Sequence, residues 1–238
     1  MANKSKSAAF SKATPGATPA AENTSGSLSR IASPKPQTSK RNRPAASLLP
    51  RPSSTKAEVL SSKTAYQGRV FSVTTDKVTE PGGITSTRDV IRHNGSVVIL
   101  AIDSAMDPAD PTILIERQYR HAAGQFLLEL PAGRIEPGEA PLAAAKRELI
   151  EETGYRARRW SRFIRYFASP GFLAETMQVF LAENIYAGIA QPEPDEQIML
   201  KHLRLSELIS QIHAGKILDG KTILSVLLLD QKLRLRKR

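Results

Sequence analysis

An unbroken run of six apolar residues, Val97 to Ile102, constrains the fold more than any other part of this sequence. Such a run predicts a strand over Ser96–Asp103 that is buried on both faces of a sheet. Asn94 and Gly95 precede it, and this pair is typical of the turn in a β-hairpin. Because six residues fall far short of the roughly 20 in a membrane-spanning helix, we expect no membrane span.

Periodicity on both sides of this strand predicts one mixed α/β domain. Further strands are predicted at 69–79, 85–93, 112–118, 126–130, 158–168, 177–184 and 198–205, and helices at 141–153, 206–214 and 219 to about 233. Ser206 is predicted to cap the second helix. We place the folded domain at 61–233, between a segment at 1–60 and a basic tail at 234–238.

The net charge of +11 belongs to the two ends of the 238-residue chain. Residues 1–60 hold 7 of the 16 prolines and 11 serines, a composition that predicts disorder. A solubilising tail is the favoured interpretation, ahead of a transit peptide or a tether for nucleic acid or an acidic partner. The lack of cysteine excludes disulfides and thiolate metal sites and fits a cytoplasmic protein.

The segment from Gly133 to Tyr155 carries the chemistry. Pro141 suits the first position of a helix, and Gly154 suits the position after its end. Glutamates at 148, 151 and 152 fall on one face of this helix, where they repel one another. One interpretation is a solvated acidic surface. The other is a site for Mg²⁺, which binds oxygen ligands and bridges carboxylates to phosphates.

The spacing G-x5-E-x7-R-E-U-x-E-E-x-G-U, with U a bulky apolar or aromatic residue, resembles the Nudix box. It is met at every position, by Gly133, Glu139, Arg147, Glu148, Leu149, Glu151, Glu152, Gly154 and Tyr155. Chance matches over the chain are about one in a million at average residue usage. The flanking motifs LLELPAG, ERQYR and SPGF resemble those of the ADP-ribose pyrophosphatase branch, so the likeness runs from about Tyr66 to Leu205.

This resemblance implies an α/β/α sandwich with a mixed sheet and a divalent metal site. Glu148 and Glu152 would be the principal ligands, joined by the backbone carbonyl of Ala132. Glu139 would reach the same site from the preceding loop. The implied cofactor is Mg²⁺, with Mn²⁺ as a substitute.

The resemblance also implies residues that act around the metal. Glu151 would support the ligands, and Arg147 would orient the glutamates by ion pairing. A general base in this branch is commonly a glutamate on a loop after the box, which makes Glu196 the first candidate and Glu193 the second. An ordinary solvated acidic turn is the alternative interpretation of that loop.

Four residues outside the box are assigned to substrate contacts: Arg120, Glu129, Pro170 and Gly171. Arg120 is expected to clamp a phosphate or the terminal ribose, because its planar fork suits oxyanions. Glu129 resembles a residue used for metal or sugar contacts. Tyr119 and Phe126 are expected to pack in the core rather than on a base.

The implied reaction is hydrolysis of the pyrophosphate in ADP-ribose or a related nucleoside diphosphate sugar, giving AMP and ribose 5-phosphate from ADP-ribose. GDP-mannose, NADH and dinucleoside polyphosphates are alternative substrates. A noncatalytic nucleotide-binding domain and a protein that contacts nucleic acid through its basic ends are alternatives of other classes. The resemblance further implies a homodimer formed through strands at 66–93.

Overall fold

A computed structural model describes residues 55–103, 105, 107–189 and 197–236. The strands are β1 Glu58–Gln67, β2 Ser72–Thr79, β3 Thr85–Arg92, β4 Ser96–Asp103, β5 Thr112–Arg120, β6 Gln125–Glu129, β7 Ala132–Arg134, β8 Arg156–Phe167, β9 Thr176–Tyr186 and β10 Ile198–Arg204. The helices are α1 Pro141–Thr153, α2 Leu205–His213 and α3 Gly220–Arg236, with a 3-10 turn at His121–Ala123. Across the described ranges, no helix has both the length and the apolar character to cross a membrane.

A seven-stranded mixed sheet forms the centre of the molecule. Its main order is β10-β5-β4-β9-β8, with β4 parallel to β9 and antiparallel to β5. Strands β4 and β5 pair only at two positions, Ile102 with Ile113 and Asp103 with Thr112, and then diverge. In the gap β7 pairs with β4 and β6 pairs with β5. This fork brings the backbone at the start of the box into the middle of the sheet.

Helices cover both faces of this sheet. On one face Val97 and Ile99 of β4 pack with Leu149 of α1, and on the other Val98 packs with Leu208 of α2. Every residue of β4 except the last is buried. The predictions of a doubly buried strand and of a three-layer α/β/α sandwich are therefore confirmed.

A separate antiparallel sheet of three strands, in the order β1-β2-β3, precedes the central sheet. The hairpin predicted at Asn94-Gly95 is wrong, because β3 and β4 belong to different sheets. Gly95 does adopt the positive φ that the motif suggested, at +93°, but it carries the chain from one sheet to the other.

The N-terminal boundary of the folded domain differs from the sequence prediction. Strand β1 begins at Glu58, inside the segment predicted to be disordered, and sequence patterning predicted no strand there. All residues of β1 are exposed, so no face of the strand requires apolar residues and the sequence shows no polar–apolar alternation. The predicted disorder of residues 1–54 lies outside the described residues.

The cap predicted for α2 is wrong. The helix begins at Leu205, one residue before Ser206, and no side chain of its own N-cap residue closes it. Asp110, from the loop before β5, accepts hydrogen bonds from the amide and the hydroxyl of Ser206, both at 2.8 Å. A carboxylate distant in sequence therefore satisfies the first turn of α2.

Candidate active site

Helix α1 forms with the predicted bounds and carries the acidic residues of the site. Pro141 stands at its first position, and Gly154 follows its end with φ +74°. The amide of Gly154 donates to the carbonyl of Ile150 at 2.9 Å, as expected of a left-handed C-terminal cap. Because Glu148, Glu151 and Glu152 all lie in the last two turns, the helix dipole does not offset their charge.

Arg147 forms the centre of a cluster that joins helix and loop. Its Nε and Nη2 donate to the two carboxylate oxygens of Glu139 at 3.0 and 2.9 Å. Its Nη1 donates to Glu148 at 2.8 Å and to Glu151 at 2.9 Å. Nη2 also donates to the carbonyl of Arg134 at 3.0 Å. The hydrogen bonds from Arg147 lower the pKa of Glu139, and the same bonds raise the pKa of Arg147.

Both glutamates predicted as principal metal ligands lie against the backbone of β7. A Cβ atom at Gly133 would lie 2.0 Å from Cδ of Glu148, so only glycine leaves room for this carboxylate. The buried Glu152 accepts a hydrogen bond from the amide of Ala132 at 3.1 Å. The β-fork and α1 thus bring together four residues that the sequence separates by up to 20 positions.

Charge and donor type in this cluster fit a hard divalent cation. The formal charges of Glu139, Glu148, Glu151, Glu152 and Arg147 sum to −3. All the side-chain donors are carboxylate oxygens, which Mg²⁺ prefers. No histidine, aspartate or glutamate side chains among the described residues form a group of three that could hold a metal ion as they stand. The carboxylates of Glu139, Glu148 and Glu151 contact the guanidinium of Arg147.

A second charged cluster lies where β5 and β6 meet the start of α3. Arg120 donates to both oxygens of Glu129, at 2.7 and 3.0 Å. Lys221 also donates to Glu129 and lies 3.1 Å from Asp219. Burial alone would raise the pKa of Glu129, but Arg120 and Lys221 outweigh it and lower that pKa.

Lys221 and Asp219 were missed by sequence reasoning. Asp219 accepts hydrogen bonds from the amide and hydroxyl of Thr222, which fixes the first turn of α3. The Thr222 hydroxyl oxygen in turn accepts a hydrogen bond from the amide of Leu130 at 2.8 Å. Lys221 follows Glu129 by 92 residues, so no local spacing connects them.

The same face of β5 presents a row of polar side chains. Glu116, Gln118 and Arg120 alternate along the strand, and the first two are buried. Burial would lower the pKa of Arg120, but Glu129, and then the charges of Glu152 and Glu116, raise it. Arg120 therefore lies within electrostatic reach of the box. Gln118 Oε1 is buried and accepts no hydrogen bond from the described residues.

The other predicted substrate residues lie at the surface. Pro170 and Gly171 are exposed, on a turn joined to β3. The amide of Ile91 donates to Phe172 at 2.8 Å, and the amide of Ala174 donates to Ile91 at 2.9 Å. Both candidate bases, Glu193 and Glu196, fall outside the described residues.

The core positions expected for Tyr119 and Phe126 are wrong. Each side chain is about half exposed, and the two rings meet edge to face with centroids 5.3 Å apart. The guanidinium of Arg117 lies 3.8 Å from the centroid of Phe126. Tyr119 and Phe126 are cross-strand partners on β5 and β6, and their two rings cover each other only in part.

A three-layer sandwich whose central fork places two glutamates of one helix on a glycine-containing strand defines a Nudix hydrolase. The Nudix domain family matches residues 92–223, and the chain belongs to that family.

Known relatives and a solved structure agree with this assignment. The chain is 35% identical over 163 residues to the methanol dehydrogenase activator of Bacillus methanolicus, covering 68% of this chain and 85% of that protein. It is 31% identical over 169 residues to the ADP-ribose pyrophosphatase of Bacillus subtilis, covering 70% and 89%. A crystal structure of an ADP compounds hydrolase superposes with TM-score 0.65 at 19% identity, over 77% of this chain and 97% of that one, a likeness of fold.

Proposed function

We propose that this Nudix hydrolase cleaves the pyrophosphate of ADP-ribose or a related nucleoside diphosphate sugar in a reaction that requires a divalent metal. From ADP-ribose the products are AMP and ribose 5-phosphate. The observation that carries the proposal is the close packing of the Glu148 carboxylate against Gly133, together with the hydrogen bond that Glu152 accepts from the amide of Ala132. The likeness to an ADP-ribose pyrophosphatase supports the substrate class.

Glu148, Glu152 and the carbonyl of Ala132 are the groups that would hold Mg²⁺ or Mn²⁺, with Glu139 beside them. When bound, such a cation neutralises phosphate charge and lowers the pKa of its water. The excess negative charge of the cluster favours cation binding. Without a bound divalent cation the same carboxylates repel one another, and Arg147 pairs with Glu139, Glu148 and Glu151 while the group keeps a net negative charge.

Arg147 acts as a positioning residue in this proposal. Its guanidinium holds Glu139, Glu148 and Glu151 in one hydrogen-bonded group, so each carboxylate has a fixed orientation before substrate arrives. Glu151 is the most exposed of the three, and we assign it the supporting role beside the ligands.

For the substrate, Arg120 is held by the buried Glu129 and offers a fixed cation to a phosphate or ribose. Pro170 and Gly171 complete the proposed substrate surface. Glu196 is the first choice as general base and Glu193 the second. We also propose that the enzyme acts in the cytoplasm. The N-terminal boundary of the domain, predicted at residue 61, moves toward the N-terminus so that the domain includes β1.

A product assay tests the reaction. Purified full-length protein is incubated with ADP-ribose and Mg²⁺, and the products are separated by chromatography. We expect AMP and ribose 5-phosphate, loss of both with EDTA, and a fall of about 10²–10³-fold in the Glu152→Gln variant, since metal stabilisation of the transition state supplies several kcal/mol. The matched control is Glu136→Gln, an exposed glutamate in the same segment. Equal rates for Glu152→Gln and wild type would refute the metal site.

The general base is tested separately. If Glu196 removes the proton from water, Glu196→Gln lowers kcat by about a hundredfold or more. Glu193→Gln serves as its comparison. Normal rates in both variants would remove this loop from the mechanism while leaving the metal assignment intact.

We infer that the chain forms a homodimer through the β1–β3 sheet. All ten residues of β1 are exposed, and Val59, Leu60 and Tyr66 expose about half or more of their surface. An exposed strand edge with apolar side chains favours pairing with another chain. Light scattering is expected to give twice the chain mass of 26.0 kDa, and Val59→Asp is expected to lower it. A monomeric mass for the wild type would contradict the inference.

A further inference from the structure

Strand β8 carries an unusual concentration of positive charge. Five arginines lie within its 12 residues: Arg156, Arg158, Arg159, Arg162 and Arg165. The body of the chain, residues 66–229, holds 18 basic and 20 acidic residues, so it has no general excess of positive charge. Strand β8 lies at the edge of the central sheet, where its side chains can reach a ligand.

Most of this charge is not neutralised by acidic residues within the part of the chain that the structure describes. Arg159 forms a bidentate pair with Glu183, at 2.7 and 2.6 Å. The other four arginines form no ion pair with any residue that the structure describes. A row of unpaired cations on an edge strand attracts a polyanion.

Aromatic rings lie beside these arginines. A cavity of about 190 Å³ is lined by Lys146, Ile150, Arg156, Ala157, Trp160 and Tyr186. The guanidinium of Arg158 lies 5.1 Å from the centroid of Tyr186. A second hollow of about 370 Å³ has Arg162, Arg165, Gln178 and Phe180 in its wall.

Both hollows lie along β8, which contributes Arg156 and Trp160 to the first and Arg162 and Arg165 to the second. Trp160 pairs with Ala182 and Arg162 with Phe180, so both side chains leave the same face of β8. Phe180 and Ala182 belong to the core cluster that includes Leu149 of α1. We call Lys146, Arg156, Trp160, Arg162 and Arg165 the β8 groove.

The groove is separate from the carboxylate site. Lys146 and Ile150 each stand two residues from Glu148 on α1, which turns them about 200° around the helix axis. Glu148 faces Gly133, whereas Lys146 and Ile150 line the cavity beside Trp160. One helix therefore presents an anionic flank to the box and a cationic flank to the groove.

We propose that the β8 groove binds single-stranded nucleic acid. From Arg156 to Arg165 the strand extends about 30 Å at 3.3 Å per residue, longer than one nucleotide. Unpaired arginines contact phosphates, and aromatic rings beside them stack on bases of any sequence. An acidic peptide would match the charge but would leave the rings of Trp160 and Tyr186 without a stacking partner.

Trp160 is the single tryptophan of the chain and reports directly on the groove. Full-length protein is titrated with a 12-nucleotide single-stranded RNA and DNA of mixed sequence, and with poly-glutamate, over a range of KCl. We expect both oligonucleotides to quench Trp160 fluorescence and poly-glutamate to leave it unchanged. Equal quenching by poly-glutamate, or oligonucleotide binding without any change in Trp160 fluorescence, would overturn the proposal.

Charge-removing variants separate the groove from the basic ends of the chain. Arg162→Gln with Arg165→Gln is expected to weaken oligonucleotide binding about tenfold at 100 mM KCl and to reduce the salt slope by about 1.4. The matched control, Arg204→Gln with Arg234→Gln, removes two exposed arginines elsewhere and should leave the Trp160 quenching unchanged. An unaltered slope in the first pair would assign binding to the ends and refute the groove. ADP-ribose turnover, measured in the same samples, is expected to be normal in both pairs.

Discussion

Two arginine-centred clusters lie near the start of the box, and they differ in charge balance. Around Arg147, one cation faces Glu139, Glu148 and Glu151, so the group keeps a net charge of −2. In the second cluster Arg120 and Lys221 face Glu129 and Asp219, and the formal charges cancel.

This difference separates a group of side chains that gains from an added cation from one whose formal charges already balance. The Arg147 group gains from a further cation, because its carboxylates repel one another without it. The Arg120 group needs no added charge, and its buried Glu129 is costly to ionise only if a partner is lost. The first cluster is therefore suited to binding a cation, and the second fixes the orientation of Arg120 while it joins β5, β6 and α3.

The largest expected effect breaks the balanced cluster. Lys221→Met leaves the buried Glu129 with one cation fewer, and loss of one partner from a buried pair costs about 3–5 kcal/mol of unfolding free energy. Urea unfolding followed by circular dichroism measures it. The control is Lys216→Met, which removes an exposed lysine from the preceding loop. A loss no larger than that of the control would mean that Glu129 does not depend on Lys221.

The next effect tests the unbalanced cluster through its backbone. Gly133→Ala places a methyl group where the Glu148 carboxylate now lies, so that carboxylate must move. Since a displacement of about 1 Å in a catalytic group can cost a hundredfold, we expect kcat/KM for ADP-ribose to fall by about that factor. Gly220→Ala, at a position with open space around it, is the control. Unchanged kcat/KM in Gly133→Ala would separate Glu148 from catalysis.

The two clusters also differ in how far sequence could predict them. The bounds of α1 and the common face of Glu148 and Glu152 follow from spacing within one helix, which depends only on helix geometry. Lys221 reaches Glu129 because the β-fork and the start of α3 meet in space, and no pattern in either segment indicates this. Asp219 appeared only as the predicted start of α3, and its carboxylate caps that helix.

The surface misled sequence reasoning in a related way. Strand β1 was missed because none of its ten residues is buried, and without a buried face its polar and apolar residues do not alternate. Tyr119 and Phe126 were expected in the core on residue type alone, and residue type does not show which part of a sheet is covered. Gly95 adopts the positive φ that the Asn94-Gly95 motif suggested, but the φ of one residue does not decide which strands pair.

A smaller effect sharpens the role of the central cation. Arg147→Lys keeps the positive charge but cannot hold three carboxylates through one planar fork. Loss of a residue that orients metal ligands typically costs 10–100-fold in metal affinity. We expect the Mg²⁺ concentration for half-maximal activity to rise by about 10–100-fold, with kcat largely recovered at saturating Mg²⁺. Lys146→Arg, on the other flank of α1, is the control, and an unchanged Mg²⁺ dependence in Arg147→Lys would contradict the positioning role.

The smallest effect is the acid dependence of stability in the Arg147 cluster. The pKa of Glu139 is lowered in the folded protein by hydrogen bonds from Arg147, below an ordinary value of 4.5. A lowered carboxylate pKa contributes stability above the unfolded pKa, and this contribution is lost as the pH falls through the folded pKa. Wild type should therefore exceed Glu139→Gln in unfolding free energy at pH 7, by about 1 kcal/mol or less for a partly exposed pair, and the difference should shrink below about pH 5.

Unfolding in urea between pH 3 and pH 7, with EDTA present, measures this difference free of any metal contribution. Glu136→Gln is the control, because Glu136 is exposed and lies 3.8 Å from its partner Arg134. A gap between wild type and Glu139→Gln that widens as the pH falls would reverse the sign and mean that protonated Glu139 is the stabilising form. The cluster carries excess negative charge. A higher unfolding free energy for wild type at pH 7 would therefore mean that Arg147 stabilises the Glu139 carboxylate more than its acidic neighbours repel it.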